Sequence, residues 1–244
     1  MIEPRQNLAQ LIFEALTAEN LELMDGDVLV VSQKAISKAE GLLVDISTIK
    51  PSRKAKILSK RRKKDPRLIE LILRESAQVI RVDSKALIVR RKNGFICLNA
   101  GVDKSNVQGR LVYSRLPTNA DAAADALRVE LEKLSGRKLA VIVGDTYSRP
   151  FRVGQAEFAI GVSGIEPLVD YRGLKDLYGY ELRFKFVALA DEIAAAAELV
   201  MGQGTEQIPV AVIRGLTRLN RCDKHGLSKK LLVGTRLDLF RDIF

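Results

Sequence analysis

Acidic and hydroxyl side chains stand at two widely separated points of the chain, each where an apolar run gives way to polar residues. Asp103 lies in the turn at 99–106, and Asp145 and Thr146 close an apolar, β-branched run at 138–145 that predicts a buried strand. Hard cations prefer oxygen ligands, and Mg2+ usually takes one or two carboxylates together with water and phosphate oxygens. These residues therefore indicate a site for a metal and phosphates. The alternative is that they only form and cap turns, as Asp and Thr often do.

A second polar segment follows the apolar run at 27–32, which also predicts a buried strand. It contains Lys34 and Lys38, which are four residues apart and so fall on one side of a helical turn. Both lysines could contact one triphosphate. The alternative is an ordinary exposed turn with solvated lysines.

Arginines are frequent directly after the predicted strand at 138–145. Arg149 and Arg152 stand in a glycine-containing stretch without helical periodicity. The guanidinium group binds carboxylates and phosphates through two parallel hydrogen bonds, so both arginines are candidates for orienting an anionic substrate. A structural role fits each of them equally well.

Length and composition limit the classes of protein that this chain can belong to. Its 244 residues are 47% hydrophobic, which is enough for a substantial core in one large or two modest domains. An apolar run of membrane-spanning length and a signal peptide are both missing, which predicts a soluble protein. Two cysteines, Cys97 and Cys222, predict a reduced, cytoplasmic protein. His225 is the single histidine and lies in a polar loop, so a histidine triad or a zinc site is not expected.

The net charge of +10 favours anionic partners. Eight lysines and arginines with no acid among them lie at 53–64, which indicates either a solvated helix face or a surface that attracts an anionic ligand. A nucleic-acid-binding protein is a rival interpretation, but no helix-turn-helix, zinc or stacking motif accompanies the charge.

Hydrophobic periodicity and turn residues predict the elements that position these side chains. A seam is predicted near 77–95, where helices give way to a hairpin. Helices are predicted at 5–19, 52–64, 65–76, 119–134, 191–201 and 233–244; strands at 27–32, 79–82, 87–90, 95–98, 138–145, 183–187 and 208–213; and a partly irregular β region at 149–173.

Taken in order, the motifs resemble those of the coenzyme F420-0:L-glutamate ligase family, over about residues 20–215. The residues that carry the resemblance are Val30-Val31-Ser32-Gln33-Lys34, Ser37-Lys38-Ala39-Glu40-Gly41, Lys64-Asp65-Pro66-Arg67, the segment from Asn99 to Asn106, Asp145-Thr146 with Arg149-Pro150, and the segment from Ala188 to Gly202. There are departures, because Ser148 stands where the family usually has glycine and Phe151 where it often has tryptophan.

The resemblance implies a cytoplasmic homodimer with an α+β fold, in which mixed sheets with flanking helices form two intimately associated subdomains of one ligase unit at 1–244. It implies an enzyme that adds L-glutamate through a γ-linked amide to F420-0 or a similar anionic acceptor, with GTP and Mg2+ or Mn2+, and with K+ as a further candidate ion. Activation of the acceptor as an acyl phosphate is our hypothesis for the mechanism. A related nucleotide-dependent ligase with a different acceptor is the alternative.

The resemblance also assigns roles to individual residues. Metal ligation is implied for Asp103, Asp145 and Thr146, with Gln203 completing the second metal shell. Nucleotide binding is implied for Gln33, Lys34, Lys38, Asn106, Met201, Gly202 and Gly204.

Overall fold

The chain divides into two units, and each is assembled from segments that are distant in the sequence. The computed structural model describes residues 2–149, 151–217, 219–234 and 238. Unit 1 holds Lys34–Thr118 together with short terminal segments, whereas unit 2 holds Asn7–Gln33 and Asn119–Leu231. The prediction of a seam near 77–95 in a single ligase unit stays a prediction.

Unit 2 is built on a five-stranded mixed sheet with the order β11-β1-β7-β8-β12. β1 runs parallel to β7, and the other pairs are antiparallel. Val28, Leu29, Val30 and Val31 are all fully buried, so both faces of β1 are covered, as expected because successive side chains point to opposite faces. The elements of this unit are α1 (Leu8–Ala18), β1 (Val28–Ser32), α5 (Ala120–Ser135), β7 (Ala140–Ser148), β8 (Gln155–Ile165), β9 (Val169–Asp170), β10 (Phe186–Val187), α6 (Leu189–Met201), β11 (Val210–Ile213) and β12 (Arg221–Cys222).

Helices cover this sheet, and their ends follow capping rules. The Asn119 side chain accepts a hydrogen bond from the Ala122 N–H to start α5, and Gly136 ends that helix in the left-handed conformation. α6 packs on β8 through small buried side chains such as Ala194 and Ala197, which allow a close approach. Asp191 of α6 ties the helix to the sheet, because its carboxylate accepts the Ala159 N–H at 2.9 Å.

Unit 1 combines a three-stranded antiparallel sheet, β3-β4-β5, with a two-stranded sheet of β2 and β6. Its core contains Ile69, Ile72, Leu87 and Val89, contributed by α4 and β4. Ser52 caps the basic helix α3, because its side chain accepts a hydrogen bond from the Ala55 N–H. The elements are α2 (Gln33–Ala39), which begins at the last residue of unit 2, and then β2 (Leu43–Asp45), α3 (Arg53–Arg62), α4 (Pro66–Glu75), β3 (Ser76–Val82), β4 (Leu87–Arg91), β5 (Ile96–Leu98) and β6 (Val112–Ser114).

The predicted α+β class with mixed sheets and flanking helices is confirmed. Three expectations about unit 2 were wrong in detail. β7 does not end at Asp145 but continues to Ser148. The irregular β region contains the long strand β8, and the predicted strand at 183–187 is reduced to Phe186–Val187. The predicted helix at 233–244 lies mostly outside the described residues.

No helix in the described part of the chain is both long enough and apolar enough to cross a membrane.

Gly161 tests how closely α5 packs on the sheet. A Cβ atom at this position of β8 would stand 2.3 Å from the backbone oxygen of Ala120, which cannot move without displacing α5. We expect Gly161→Ala to lower the free energy of unfolding by about 1–3 kcal/mol, the usual cost of overpacking. Urea unfolding measures it, with Gly234→Ala as the control because a Cβ there meets nothing within 4 Å. Equal stability of the two variants would contradict this packing.

Candidate functional site

Lys34 and Lys38 are one turn apart on α2, as the sequence predicted. Burial lowers the pKa of Lys38, and the nearby positive charge of Lys34 lowers it further. The proximity of the two amines is therefore confirmed by their electrostatic interaction. An anion that contacts both would relieve this repulsion.

A strained turn delivers Asp103 to α2 within unit 1. Asn99 and Ala100 have positive φ angles of 52° and 56°, followed by Gly101 at 69°. Gly101 is required for space as well as for conformation, because a Cβ there would stand 2.3 Å from the Leu116 side chain. Asp103 then forms two reciprocal backbone hydrogen bonds with Ser114, of 3.1 and 2.9 Å. Its backbone position is therefore well defined.

The carboxylate of Asp103 is already a charged hydrogen-bond acceptor. Lys34 Nζ lies 2.5 Å from Oδ2 and also donates to Ser114 Oγ at 2.8 Å. The Ser105 hydroxyl and the Lys104 N–H donate to the same carboxylate. Burial acts against the charged form, but the bonds from Lys34 and Ser105 outweigh it and hold the pKa of Asp103 below its ordinary value. The group is therefore ionised near neutral pH and able to bind a cation.

In unit 2, the β7–β8 pair brings a second set of polar side chains together. Thr146 is directly opposite Glu157 in the strand register, and Asp145 is opposite Phe158. Thr146 Oγ1 donates to Glu157 Oε2 at 2.9 Å. The Gln203 side chain, from the loop after α6, opposes the rise in the pKa of Glu157 and so lies near this carboxylate. The predicted metal ligands Thr146 and Gln203 are thus both neighbours of Glu157.

A second carboxylate, from Glu198 of α6, completes this network. Its Oε1 accepts the Gln203 amide at 2.6 Å, and its Oε2 accepts the backbone N–H of Glu157 at 2.9 Å. Gly144 leaves the room for Glu157, since a Cβ at position 144 would stand 2.4 Å from Glu157 Oε1. We call Asp145, Thr146, Glu157, Glu198 and Gln203 the unit 2 polar cluster.

Glu157 is the most strongly perturbed acid of this cluster. Burial raises its pKa to about 7, and the negative charges of Asp145 and Glu198 contribute in the same direction, against the hydrogen bond from Thr146. The charge interaction also shows that Asp145 lies near Glu157. The cluster therefore holds more negative charge at pH 8 than at pH 6.

The other predicted site residues have varied surroundings. Gln33 is buried at the first position of α2, and Asn106 is exposed with a φ of 52°. Met201 packs in the core of unit 2, Gly202 adopts a φ of 65°, and the Gly204 N–H donates to Glu206 at 2.7 Å. Arg149 is partly buried, whereas Arg152 is exposed.

The structure groups Lys34, Lys38 and Asp103 in unit 1, and Asp145, Thr146 and Gln203 in unit 2. The role of Asp103 and Asp145 as ligands of shared metal stays a prediction. Among the described residues, three or more His, Cys, Asp or Glu side chains do not form a group arranged to hold a metal by themselves. Any ion bound here would need further oxygen atoms from hydroxyl, amide, water or phosphate groups.

Glu157 and Glu198 were not identified from the sequence. A pairing of the strand at 138–148 with residues 155–165 would have placed Glu157 beside Thr146, but the region was interpreted as irregular. Glu198 lies within the predicted helix at 191–201, where the sequence indicates no role for it. Only the tertiary contact between α6 and β8 reveals its role.

Glu157 should give the unfolding free energy a specific pH dependence in metal-free buffer with a chelator. Its folded pKa of about 7 exceeds the ordinary 4.5, so the folded state binds more protons between these values. Stability is therefore lost as pH rises through this window, by about 3 kcal/mol at about 1.4 kcal/mol per pKa unit. The glutamine of Glu157→Gln cannot ionise. We therefore expect the free energy of unfolding of the wild type, minus that of the variant, to decrease from pH 4.5 to 7.5 in urea unfolding. Free energies that change with pH in parallel would contradict this expectation.

Comparison with known proteins identifies the family. The family model described as F420-0:Gamma-glutamyl ligase matches residues 1–215. A protein of Methanothermobacter thermautotrophicus named coenzyme F420:L-glutamate ligase is 43% identical over 235 residues, 96% of this chain and 92% of that protein. Proteins of the same name from Methanopyrus kandleri and Archaeoglobus fulgidus are 43% and 42% identical, over 98% and 88% of this chain and 93% and 84% of their own lengths. The resemblance is thus confirmed, and the chain belongs to the F420-0:gamma-glutamyl ligase family.

Proposed function

We propose that this protein joins L-glutamate to F420-0, or to a similar anionic acceptor, through a γ-linked amide, with GTP and a divalent metal ion. The observation that carries the proposal is the family match over residues 1–215. Relatives named coenzyme F420:L-glutamate ligase extend along nearly the whole chain. The polar contacts within each unit support the chemistry that this reaction needs.

The acceptor requires activation, because a carboxylate and an ammonium group do not condense in water. In the proposed reaction, a carboxylate oxygen of the acceptor attacks the γ-phosphorus of GTP, and GDP leaves. The deprotonated glutamate amine then attacks the carbon of the acyl phosphate, an amide bond forms, and phosphate leaves. Charge on the phosphoryl oxygens dominates such transition states, so the protein contributes mainly positioning and charge neutralisation.

The unit 2 polar cluster offers a donor set that suits Mg2+ or Mn2+. Asp145 supplies a carboxylate, Thr146 a hydroxyl oxygen and Gln203 an amide oxygen, all hard oxygen ligands. In unit 1, Asp103 supplies a second carboxylate that is ionised at neutral pH. When bound, a divalent ion polarises phosphoryl oxygens and offsets their charge. K+ is proposed as an additional ion on the family resemblance alone.

Lys34 and Lys38 are proposed to hold the triphosphate. Burial and then the positive charge of Lys34 lower the pKa of Lys38, and a polyanion between the two amines would offset their repulsion. Gln33 and Asn106 are proposed as further contacts to the nucleotide. The loop formed by Met201, Gly202 and Gly204 would contribute through its backbone, because Met201 itself is buried.

Arg149 and Arg152 are proposed to orient the anionic acceptor or the incoming glutamate. The Nε atom of Arg149 is buried and has no hydrogen-bond partner within the described part of the chain. A buried donor without an acceptor is costly, and a carboxylate or phosphate oxygen would satisfy it. The exposed Arg152 offers a second guanidinium near it in the sequence.

We further propose that the protein is a homodimer, and that residues 169–187 of unit 2, here called the arm, carry the contact. The arm is a β-ribbon, in which β9 pairs with β10 and the backbones of Lys175 and Glu181 form an isolated antiparallel β-bridge. Large apolar side chains in such numbers on one short exposed element are typical of an interface. Those that are exposed are Leu174, Leu177, Tyr178, Tyr180, Phe184 and Phe186.

The metal and nucleotide assignments predict the effect of removing each carboxylate. We expect Asp103→Ala and Asp145→Ala each to lower GTP-dependent phosphate release at least about 100-fold, the usual scale for losing a charged group that neutralises the transition state. Phosphate release and the mass of the product are measured with GTP or ATP, glutamate and F420-0.

The controls for these variants are Asp83→Asn in unit 1 and Glu166→Gln in unit 2, which remove carboxylates from a turn and from an ion pair with Lys230. Near wild-type activity of Asp103→Ala or Asp145→Ala would refute that residue's role. A wild-type protein that releases no phosphate and adds no glutamate to F420-0 would refute the proposed reaction.

The arm predicts a change of oligomeric state. Leu177 and Tyr178 are 97% and 95% exposed at its tip, and replacing both by Ser removes apolar area without disturbing the core. We expect the wild type to sediment as a dimer and Leu177→Ser/Tyr178→Ser as a monomer. Val129→Ser, at a 53% exposed position on α5, is the matched control and should remain dimeric. A dimeric double variant would exclude the arm, and a monomeric wild type would exclude the homodimer.

A further inference from the structure

Three carboxylates meet in unit 2, but they do not play equivalent parts. Asp145 is partly exposed, whereas Glu157 is only 4% exposed. The carboxylate of Glu157 accepts a hydrogen bond from the Thr146 hydroxyl of the protein itself. Glu157 therefore interacts with a predicted ligand and is buried away from solvent.

The hydrogen bond from Thr146 settles the orientation of its hydroxyl group. The single hydroxyl proton is donated to Glu157 Oε2 at 2.9 Å. A hydroxyl has one proton and two lone pairs, so this bond leaves both lone pairs for other partners. Without Glu157, the hydroxyl could rotate its proton toward a cation and repel it.

The same reasoning applies to Gln203. Its Nε2 donates to Glu198 Oε1 at 2.6 Å. The amide nitrogen is thus directed at a carboxylate, and the amide oxygen is the acceptor that can face a cation. Glu198 also accepts the Glu157 N–H, which connects the end of α6 to β8.

We propose that Glu157 is a positioning residue for the metal ion: its buried carboxylate accepts the hydrogen bond of the Thr146 hydroxyl, and so presents the oxygen lone pairs of that side chain to the ion. This inference rests on the proposed function, which makes Thr146 and Gln203 metal ligands. Partners of this kind around metal ligands typically change metal affinity 10–100-fold when they are lost.

Mn2+ binding to the full-length protein in the presence of GDP provides the test, because the electron paramagnetic resonance signal of free Mn2+ reports binding without any turnover. We expect Glu157→Gln to raise the apparent Kd for Mn2+ about 10- to 100-fold. Glutamine has a similar shape but offers only one acceptor oxygen. Its amide N–H groups would also meet the Thr146 hydroxyl, which already donates at this position. Glu166→Gln removes an equal charge near the end of the same strand and should bind like the wild type.

A second variant changes the position of Glu157 without changing its chemistry. Gly144→Ala would place a Cβ 2.4 Å from Glu157 Oε1 and displace the carboxylate, so it should weaken Mn2+ binding in the same direction. Thermal unfolding of each variant shows that the protein tested is folded. Two folded variants that bind Mn2+ as tightly as the wild type would overturn the inference.

A double variant tests whether Glu157 acts through Thr146. If it does, the effect of Glu157→Gln on the Kd should be smaller in a Thr146→Val background, because the hydroxyl to be oriented is no longer there. Effects that multiply in full would overturn the inference. Failure of the proposed function is recognised separately, because the wild type itself would then bind no Mn2+.

Discussion

The hydrogen bonds around the buried Glu157 carboxylate determine much of the local structure of unit 2. A carboxylate that is removed from water needs hydrogen-bond donors around it. The free energy lost by burying an unpaired carboxylate is far larger than the free energy that one hydrogen bond contributes. In this protein Thr146 of β7 donates to Glu157, and Gln203, from the loop after α6, donates to the neighbouring Glu198. Several features surround this one carboxylate. The register of β7 and β8 places Thr146 opposite it, the end of α6 lies beside it, and Gly144 leaves room for it.

In unit 1, the candidate ligand carboxylate of Asp103 has the opposite surroundings. Asp103 is partly exposed, and it remains charged because Lys34 and Ser105 donate to it. Its backbone is held to Ser114 by two hydrogen bonds, so the side chain has a firm base but an accessible end. Glu157 and Asp103 thus carry the same chemical group in different surroundings. The buried Glu157 organises its neighbours, whereas the accessible Asp103 can accept a ligand.

Local sequence rules predicted the helices and most strands because their signals lie within a few residues. Asn119 and Gly136 mark the ends of α5, and Ser52 marks the start of α3, by contacts with adjacent backbone. β8 was missed because both faces of most of it are buried, so it lacks the alternation that identifies a half-exposed strand. The residues expected to bind ligands were recognisable from motifs, whereas Glu157 and Glu198 owe their roles to contacts between elements distant in the sequence.

Under the proposed function, the ion pair of Lys34 with Asp103 would couple the binding of metal to the binding of nucleotide. The Lys34 amine cannot bind both the Asp103 carboxylate and a triphosphate at full strength. In the same way, the carboxylate cannot bind both the amine and a cation at full strength. A cation at Asp103 would release the amine for the nucleotide, and a nucleotide at Lys34 would release the carboxylate for the cation. Each ligand would then strengthen the other by the same factor, as thermodynamic reciprocity requires. Under the proposed function, the pair would thus favour binding of metal and nucleotide together over binding of either alone.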